Sequence, residues 1–223
     1  MSGRDEFYEN SYTKLLNNGL IGYIGKFVHR QLEPKSLKEK HFDKVLELGA
    51  GHGQHLEYVK HSFSTYYETD IRETNLPNRD SSSFNLIQEE VDAQKLPYPD
   101  AFFDRVIATC LLAHLDFPEE SLREWKRVTK PGGLITIYVS CEPGMILRLG
   151  RYLSTVQKAR KSGGKHLSIH YREHRNYFIP LNIMIKEVFA DSLVDRKFWP
   201  VRIPSWNFNI GTIFQIKSEV ISE

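Results

Sequence analysis

A chain of 223 residues, 40% hydrophobic and 26% charged, can bury one sizeable core, which excludes a disordered or fibrous polymer. Its formal net charge of +2 is too small to imply nucleic-acid binding by itself. No apolar run approaches the ~20 residues needed to cross a bilayer, and the charged start, Met1 to Asn10, lacks the apolar core of a secretory signal. The two cysteines, Cys110 and Cys141, make no disulfide framework and read as buried free thiols of a reducing compartment. The expectation is a cytoplasmic protein with one domain over residues 1–223 and no transmembrane segment.

In chain order, residues 5–33 read as one or two amphipathic helices, with Phe7, Tyr8, Tyr12, Leu15 and Leu16 at helical spacing and a break suggested by Gly19 and Gly22. Pro34 ends this N-terminal helical cap of residues 1–36. A regular alternation follows. Lys44 to Leu48 is a short apolar strand, Gln54 to His61 a helix, Thr65 to Thr69 a second strand ending at Asp70, and Phe84 to Val91 a third. Phe103 to Thr109 is a fourth strand and Pro118 to Val128 a helix, with proline in the first turn where it is tolerated. Lys130-Pro131-Gly132-Gly133 predicts a turn and Leu134 to Val139 a fifth strand. Residues 142–177 break the rhythm as a basic, aromatic, partly helical insertion. Pro180 to Ala190 then reads as a helix, and Leu193 to Trp199 and Asn209 to Lys217 as the last strands. The alternation predicts an α/β fold: a Rossmann-like sheet of seven strands, mostly parallel, with helices on both faces and an antiparallel last strand. The N-terminal helices and the insertion would cap its carboxyl edge.

The first chemical signal is Glu47-Leu48-Gly49-Ala50-Gly51-His52-Gly53, where a strand runs into a glycine turn. Glycines let the backbone turn tightly and let a ligand approach the main chain. Open α/β sheets bind ligands at the carboxyl ends of such strands. A dinucleotide fingerprint would need glycine at position 54, which is Gln54, and no Walker Gly-Lys-Ser/Thr follows. Asp70 lies twenty-one residues after Gly49, at the end of the second strand, where a carboxylate can accept from both ribose hydroxyls or can cap the following segment. Asp92-Ala93 ends the third strand, where the carboxylate can meet an adenine amino group or close a turn.

Two longer runs complete the pattern: Leu96-Pro97-Tyr98-Pro99-Asp100-Ala101-Phe102-Phe103-Asp104 and Arg127-Val128-Thr129-Lys130-Pro131-Gly132-Gly133. Together these residues resemble the class I methyltransferases that use S-adenosylmethionine (SAM), in particular the broad small-molecule group. The resemblance covers residues 43–140 well and the later elements more loosely. It implies that Glu47, Gly49, Ala50, Gly51 and Gly53 hold the methionine part of SAM. It also implies that Asp70 binds the ribose, that Ile71, Asp92 and Ala93 flank the adenine, and that Thr109 lines the methyl-transfer site. The product would be S-adenosylhomocysteine (SAH). His52 departs from the family pattern and is given no role.

Methyl transfer is an in-line displacement in which the cofactor supplies the activation, so the protein mainly aligns the reactants. An oxygen nucleophile needs its proton removed, whereas a neutral amine does not. His114, after the fourth strand, is the candidate catalytic base, with substrate shaping as the other reading. The stretch from Arg148 to Arg175 carries Arg148, Arg151, Lys158, Arg160, Lys161, Lys165, Arg172 and Arg175 against Glu173 alone. A basic lid of this kind favours an anionic small-molecule acceptor; a solvated basic helix, or a weak contact with anionic lipid or RNA, is the competing reading. His166, His170 and His174 recur every fourth residue, but no carboxylate or cysteine pattern accompanies them, and no metal is expected. The function expected is methyl transfer to oxygen or nitrogen of a small or medium acceptor. The rivals are a lipid methyltransferase at a membrane surface, an NAD-dependent oxidoreductase and a non-catalytic SAM-binding module.

Overall fold

The computed structural model describes residues 19–72, 84–152 and 174–218. Seven strands form one sheet in the order β3-β2-β1-β4-β5-β7-β6. They are β1 (His41–Leu48), β2 (Ser62–Asp70), β3 (Asn85–Glu90), β4 (Phe103–Thr109), β5 (Thr129–Ser140), β6 (Leu193–Trp199) and β7 (Gly211–Lys217). The first five are mutually parallel, and β7 runs antiparallel to both β5 and β6. The chain winds outward from β1 to β3, then crosses back to continue from β4. The point where the winding reverses lies between β1 and β4, and open α/β sheets bind ligands outside the carboxyl ends of the strands at such a point.

The central strands are apolar because both faces are covered. Leu46 and Leu48 of β1, Val106 and Ala108 of β4, and Ile135, Ile137 and Val139 of β5 point into one core with Trp125, Leu181 and Ile185. Val45, Tyr66 and Ile107 point the other way, against Leu37, Leu56 and Val59. On the first face lie α2 (Pro118–Val128) and α4 (Phe178–Val188), which pack on each other. Helix α2 opens with Pro118, Glu119 and Glu120 and closes with Lys126 and Arg127, which complements the helix dipole at both ends. Its buried side chains Ser121, Leu122, Trp125 and Val128 fall three and four residues apart and form one stripe. Helix α1 (Gly19–Leu32) covers the second face, with Val28 and Leu32 against Tyr138 and Ile213. A short helix, α3 (Met145–Arg151), follows β5.

Four expectations need correction. From Gly19 onward helix α1 runs through Gly22 without a break, and Val28 and Leu32 pack on a face of the sheet. Residues 54–61 form no α-helix, only a 3-10 turn at His55–Tyr58. The cause is polar: the fully buried His55 ring bonds Glu33 at 3.1 Å and His29 at 3.1 Å, and Lys60 Nζ donates to the Glu33 carbonyl at 2.7 Å, so the segment is fastened to the end of α1. Lys130 to Gly133 is not a free turn but a bulge within β5. Phe103 pairs with Thr129 while Arg105 pairs with Leu134, and Gly132 takes the left-handed φ of 74° that such a detour needs. Cys141 is buried as expected, whereas Cys110 is exposed, because its own φ of 58° turns the chain out of β4. Tyr8, Tyr12, His166 and His170 lie outside the described residues. Among the described residues, no helix is long and apolar enough to cross a membrane.

Candidate functional site at the sheet's carboxyl edge

The glycine turn leaves β1 in three left-handed steps, with φ of 65° at Gly49, 54° at Gly51 and 64° at Gly53. Only glycine adopts these angles at little cost. The loop is fixed to the neighbouring strand. The N–H of Ala50 donates to the Thr69 carbonyl at 2.9 Å, and the N–H of Gly53 donates back to Ala50 at 2.9 Å. A Cβ on Gly51 would meet nothing within 4 Å, so the loop faces open space there, whereas one on Gly49 would come within 2.9 Å of Leu111 Cδ1. His52, between Gly51 and Gly53, is exposed.

Around this loop stand the carboxylates. Glu47 is buried at 3% exposure and accepts the Tyr66 hydroxyl at 2.8 Å, and its carbonyl accepts the Thr69 hydroxyl at 2.9 Å. Burial and the adjacent Glu47 charge push the Tyr66 phenol well above its usual range, so it stays a donor. Asp70 accepts the Gly51 N–H at 3.1 Å on one oxygen and the Arg72 N–H at 3.1 Å on the other. A carboxylate offers about four lone-pair sites, so a diol can share this one. Ile71, beside it, exposes 58% of its surface. Asp92 accepts the Gln94 N–H at 2.9 Å, closing a turn. Ala93 is buried, and its carbonyl accepts the Trp125 indole N–H at 2.9 Å. Gln94 in turn accepts the N–H groups of Asp116 at 3.0 Å and Phe117 at 2.9 Å, linking this turn to the start of α2.

Register brings Thr109 beside the glycine loop, since Leu48 pairs with Ala108 one residue earlier. Its hydroxyl oxygen is buried with no hydrogen-bond partner among the described residues. Buried hydroxyls are seldom left so. Open space at Gly51, the shared carboxylate of Asp70 and the orphaned hydroxyl of Thr109 thus lie along one edge. An elongated ligand with a sugar diol and a polar tail matches that order.

Beyond β4, the turn at Leu112–His114 carries His114, half-buried, whose ring meets the His174 ring edge-on at 4.7 Å between centroids. His174 Nδ1 lies 2.8 Å from Glu142 Oε2. Sequence reasoning did not single out Glu142. It stands just past β5, at the same edge as the other carboxylates, and that position was the available signal. Its pairing with His174 spans 32 residues and leaves none. Among the described residues, no group of three or more His, Cys, Asp or Glu side chains is arranged to hold a metal ion.

Comparison with known proteins agrees with this geometry. Residues 46–137 match the family model described as a methyltransferase domain. A ubiquinone/menaquinone biosynthesis C-methyltransferase of Burkholderia orbicola (strain MC0-3) is 34% identical over 105 residues, which are 42% of this chain and 42% of that protein. The chain thus aligns with about two fifths of the length of that relative. Among solved structures, the N-methyltransferase NodS of Bradyrhizobium japonicum WM9, in complex with SAH, superposes with a TM-score of 0.65 at 12% identity, covering 96% of each chain. The [4+2]-cyclase SpnF superposes with a TM-score of 0.59 at 13% identity, covering 92% of this chain and 84% of that one. Over residues 46–137, and in the order and direction of its seven strands, the chain is similar to SAM-dependent methyltransferases.

Proposed function

We propose that the chain transfers a methyl group from SAM to an oxygen or nitrogen of a small or medium acceptor. The observation that carries this reading is the row formed by the Gly51 N–H, the Asp70 carboxylate and the unpartnered Thr109 hydroxyl at the reversal of the sheet's winding. Glu47, Gly49, Ala50, Gly51 and Gly53 would hold the methionine part, Asp70 the ribose, and Ile71, Asp92 and Ala93 the adenine. Thr109 would border the transferring methyl. When bound, SAM supplies a methyl activated on a sulfonium. The chain's own residues would orient the acceptor, exclude water and hold its proton. The cluster of basic residues between Arg148 and Arg175 supports an anionic acceptor. The relative named for C-methylation matches only 42% of this chain, so its acceptor is not carried across.

A second reading, methylation of a lipid at a membrane surface, is favoured by one observation. Met145, Leu149 and Tyr152 are exposed on and just after α3, where the basic run begins. Liposome co-sedimentation at low and high salt separates the two readings. The fold does not by itself decide chemistry, and one superposable structure is named a cyclase. The deciding experiment is therefore titration of the purified chain with SAH, SAM and NAD in a calorimeter, followed by transfer of labelled methyl from SAM. Binding of SAH and SAM without NAD supports the proposal, and indifference to both sulfur compounds overturns it.

A further inference from the structure

Two neighbouring segments past the ends of β5 and β6 turn apolar side chains to the outside. Helix α3 packs Leu147 against the core, while Met145, Leu149 and Tyr152, on the helix and at its C-cap, point outward. These three are four and three residues apart, so they form one stripe, and a surface helix ordinarily turns such a stripe inward. The loop between β6 and β7 adds Val201, Ile203 and Phe208. All six residues are between 44% and 59% exposed.

The loop is held in shape from within. Asn209 is fully buried, its Oδ1 accepts the Val201 N–H at 2.9 Å, and its Nδ2 donates to the Ile203 and Ser205 carbonyls, both at 2.8 Å. The 3-10 turn Trp206–Phe208 touches α3, and a Cβ on Gly144, just before the helix, would collide with the Trp206 carbonyl. Side chains ordered in advance lose less entropy when they dock. Ser140 at the end of β5 pairs with Gly211, which also pairs with Trp199 at the end of β6, and Thr109 pairs with Tyr138. The apolar surface therefore stands at the same edge of the sheet as Thr109.

Charge selects the occupant. Residues 143–152 and 200–211 contain Arg148, Arg151 and Arg202 and no acid or lysine. Arg148 and Arg202 are exposed, and among the described residues neither pairs with a carboxylate. A second copy docking by the same patch would bring cations against cations. An anionic bilayer takes up the apolar side chains and attracts the arginines, and Tyr152 and Trp206 are residue types that settle at its interface.

We infer that α3 and the loop 200–208 form one surface that docks the chain on an anionic bilayer. Docking stands apart from the methyl-transfer reading, and it favours an acceptor held in the bilayer, the second reading above.

The test uses the full chain with vesicles of phosphatidylcholine alone and of phosphatidylcholine mixed with phosphatidylglycerol, at low and high salt. The wild-type chain should co-sediment with the mixed vesicles, less so at high salt and least with the neutral ones. Ile203→Asp and Phe208→Asp should each lower partitioning about 10-fold or more, with thermal midpoints unchanged. Arg148→Gln and Arg202→Asn should each lower it about fivefold; asparagine suits position 202 because it tolerates the left-handed φ of 63° there. Leu193→Asp is the control, since Leu193 is 74% exposed but lies at the far end of β6, about 20 Å from Trp199. It should bind as the wild type does. Should the aspartate variants fail to fold, the unmodified chain still decides. Lipid brominated on its chains should quench its tryptophan emission, and Trp206→Phe should remove most of that quenching.

No sedimentation with mixed vesicles, equal binding to neutral ones, or undiminished binding in Ile203→Asp and Phe208→Asp would each overturn the docking surface. So would an equal loss in Leu193→Asp, absence of quenching, or quenching unchanged in Trp206→Phe. Self-association without vesicle binding, dissolved by Ile203→Asp, would assign the patch to a second copy instead. Vesicle binding needs no SAH, so a chain that docks but ignores SAH and SAM overturns the methyl-transfer reading alone.

Discussion

The backbone N–H of Gly51 donates to the carboxylate of Asp70 at 3.1 Å, so the glycine loop after β1 and the end of β2 form one rigid corner. On the proposed reading, Asp70→Ala removes the carboxylate that would bind the ribose and the acceptor from Gly51 at once. Hydrogen bonds to a charged group contribute ~1.5–3 kcal/mol, so SAH affinity measured by calorimetry should weaken by that order. Asp70→Asn, which keeps one acceptor oxygen, should lose less. An Ala variant with wild-type affinity would remove Asp70 from the site.

Gly49 and Gly51 separate folding from binding. At Gly49 a side chain is strained by a φ of 65° and crowds Leu111 Cδ1 at 2.9 Å, so Gly49→Ala should lower stability in denaturant by ~1–2 kcal/mol or more. At Gly51 the backbone strain is similar but the added methyl meets nothing within 4 Å. Gly51→Ala should therefore cost ~1–2 kcal/mol of stability and, in addition, weaken SAH binding by filling the space a ligand would use. Equal loss of affinity in both variants, scaled to their stability, would argue that neither methyl meets the ligand.

How far the sequence announces this structure depends on how locally each feature is encoded. Strands β1 and β4 and helix α2 are legible because their own side chains state their burial: continuous apolar runs in the strands, a three-and-four spacing with Pro118 and flanking charges in the helix. Glu47, the glycines and Asp70 are legible because strand ends and spacing mark the edge of an α/β sheet. The turn at His55–Tyr58 is not, since Glu33 and His29, which hold His55, lie outside any window that contains it. Arg105 sits in the apolar run of β4 with nothing nearby to explain a buried charge; its partner Glu33 is 72 residues away.

That partnership carries a pH dependence. Arg105 Nη2 lies 2.6 Å from Glu33 Oε1, both side chains are fully buried, and His55 bonds the same carboxylate. Burial alone would raise the Glu33 pKa, but the hydrogen bond from His55 and the charge of Arg105 outweigh it and hold the group at about 2. A depressed carboxylate pKa stabilises the fold above the unfolded value of about 4.5, and that contribution is lost as pH falls towards about 2. His29 is pushed down to about 3 by burial and then by His55, and burial also lowers His55. These rings stay neutral in the fold while the unfolded chain takes up protons below about pH 6.5. Stability should therefore fall from about pH 6.5 downward, first through the histidines and then through Glu33. Thermal midpoints measured against pH should show this decline. Glu33→Gln should flatten its acid end while costing ~3–5 kcal/mol at neutral pH, because it strands the Arg105 charge. A wild-type midpoint that is flat between pH 7 and pH 4 would contradict the buried neutral histidines.

Trp125 joins the core to the turn at Asp92-Ala93. It is fully buried on α2, and its indole N–H donates to the carbonyl of Ala93 at 2.9 Å. Trp125→Ala opens a cavity and should cost ~3–5 kcal/mol. Trp125→Phe keeps most of the apolar volume but leaves the Ala93 carbonyl without its donor, which should cost ~1–3 kcal/mol. The informative comparison is the effect on SAH binding at a temperature where the Phe variant remains folded. If the turn at Asp92-Ala93 borders the adenine, releasing its carbonyl should loosen that turn and weaken SAH binding several-fold. Sinefungin, which carries the same adenosine, should then weaken equally, and a methionine-like fragment without adenine should be unaffected. Loss of stability with all three affinities unchanged would confine Trp125 to packing and detach Ala93 from the ligand.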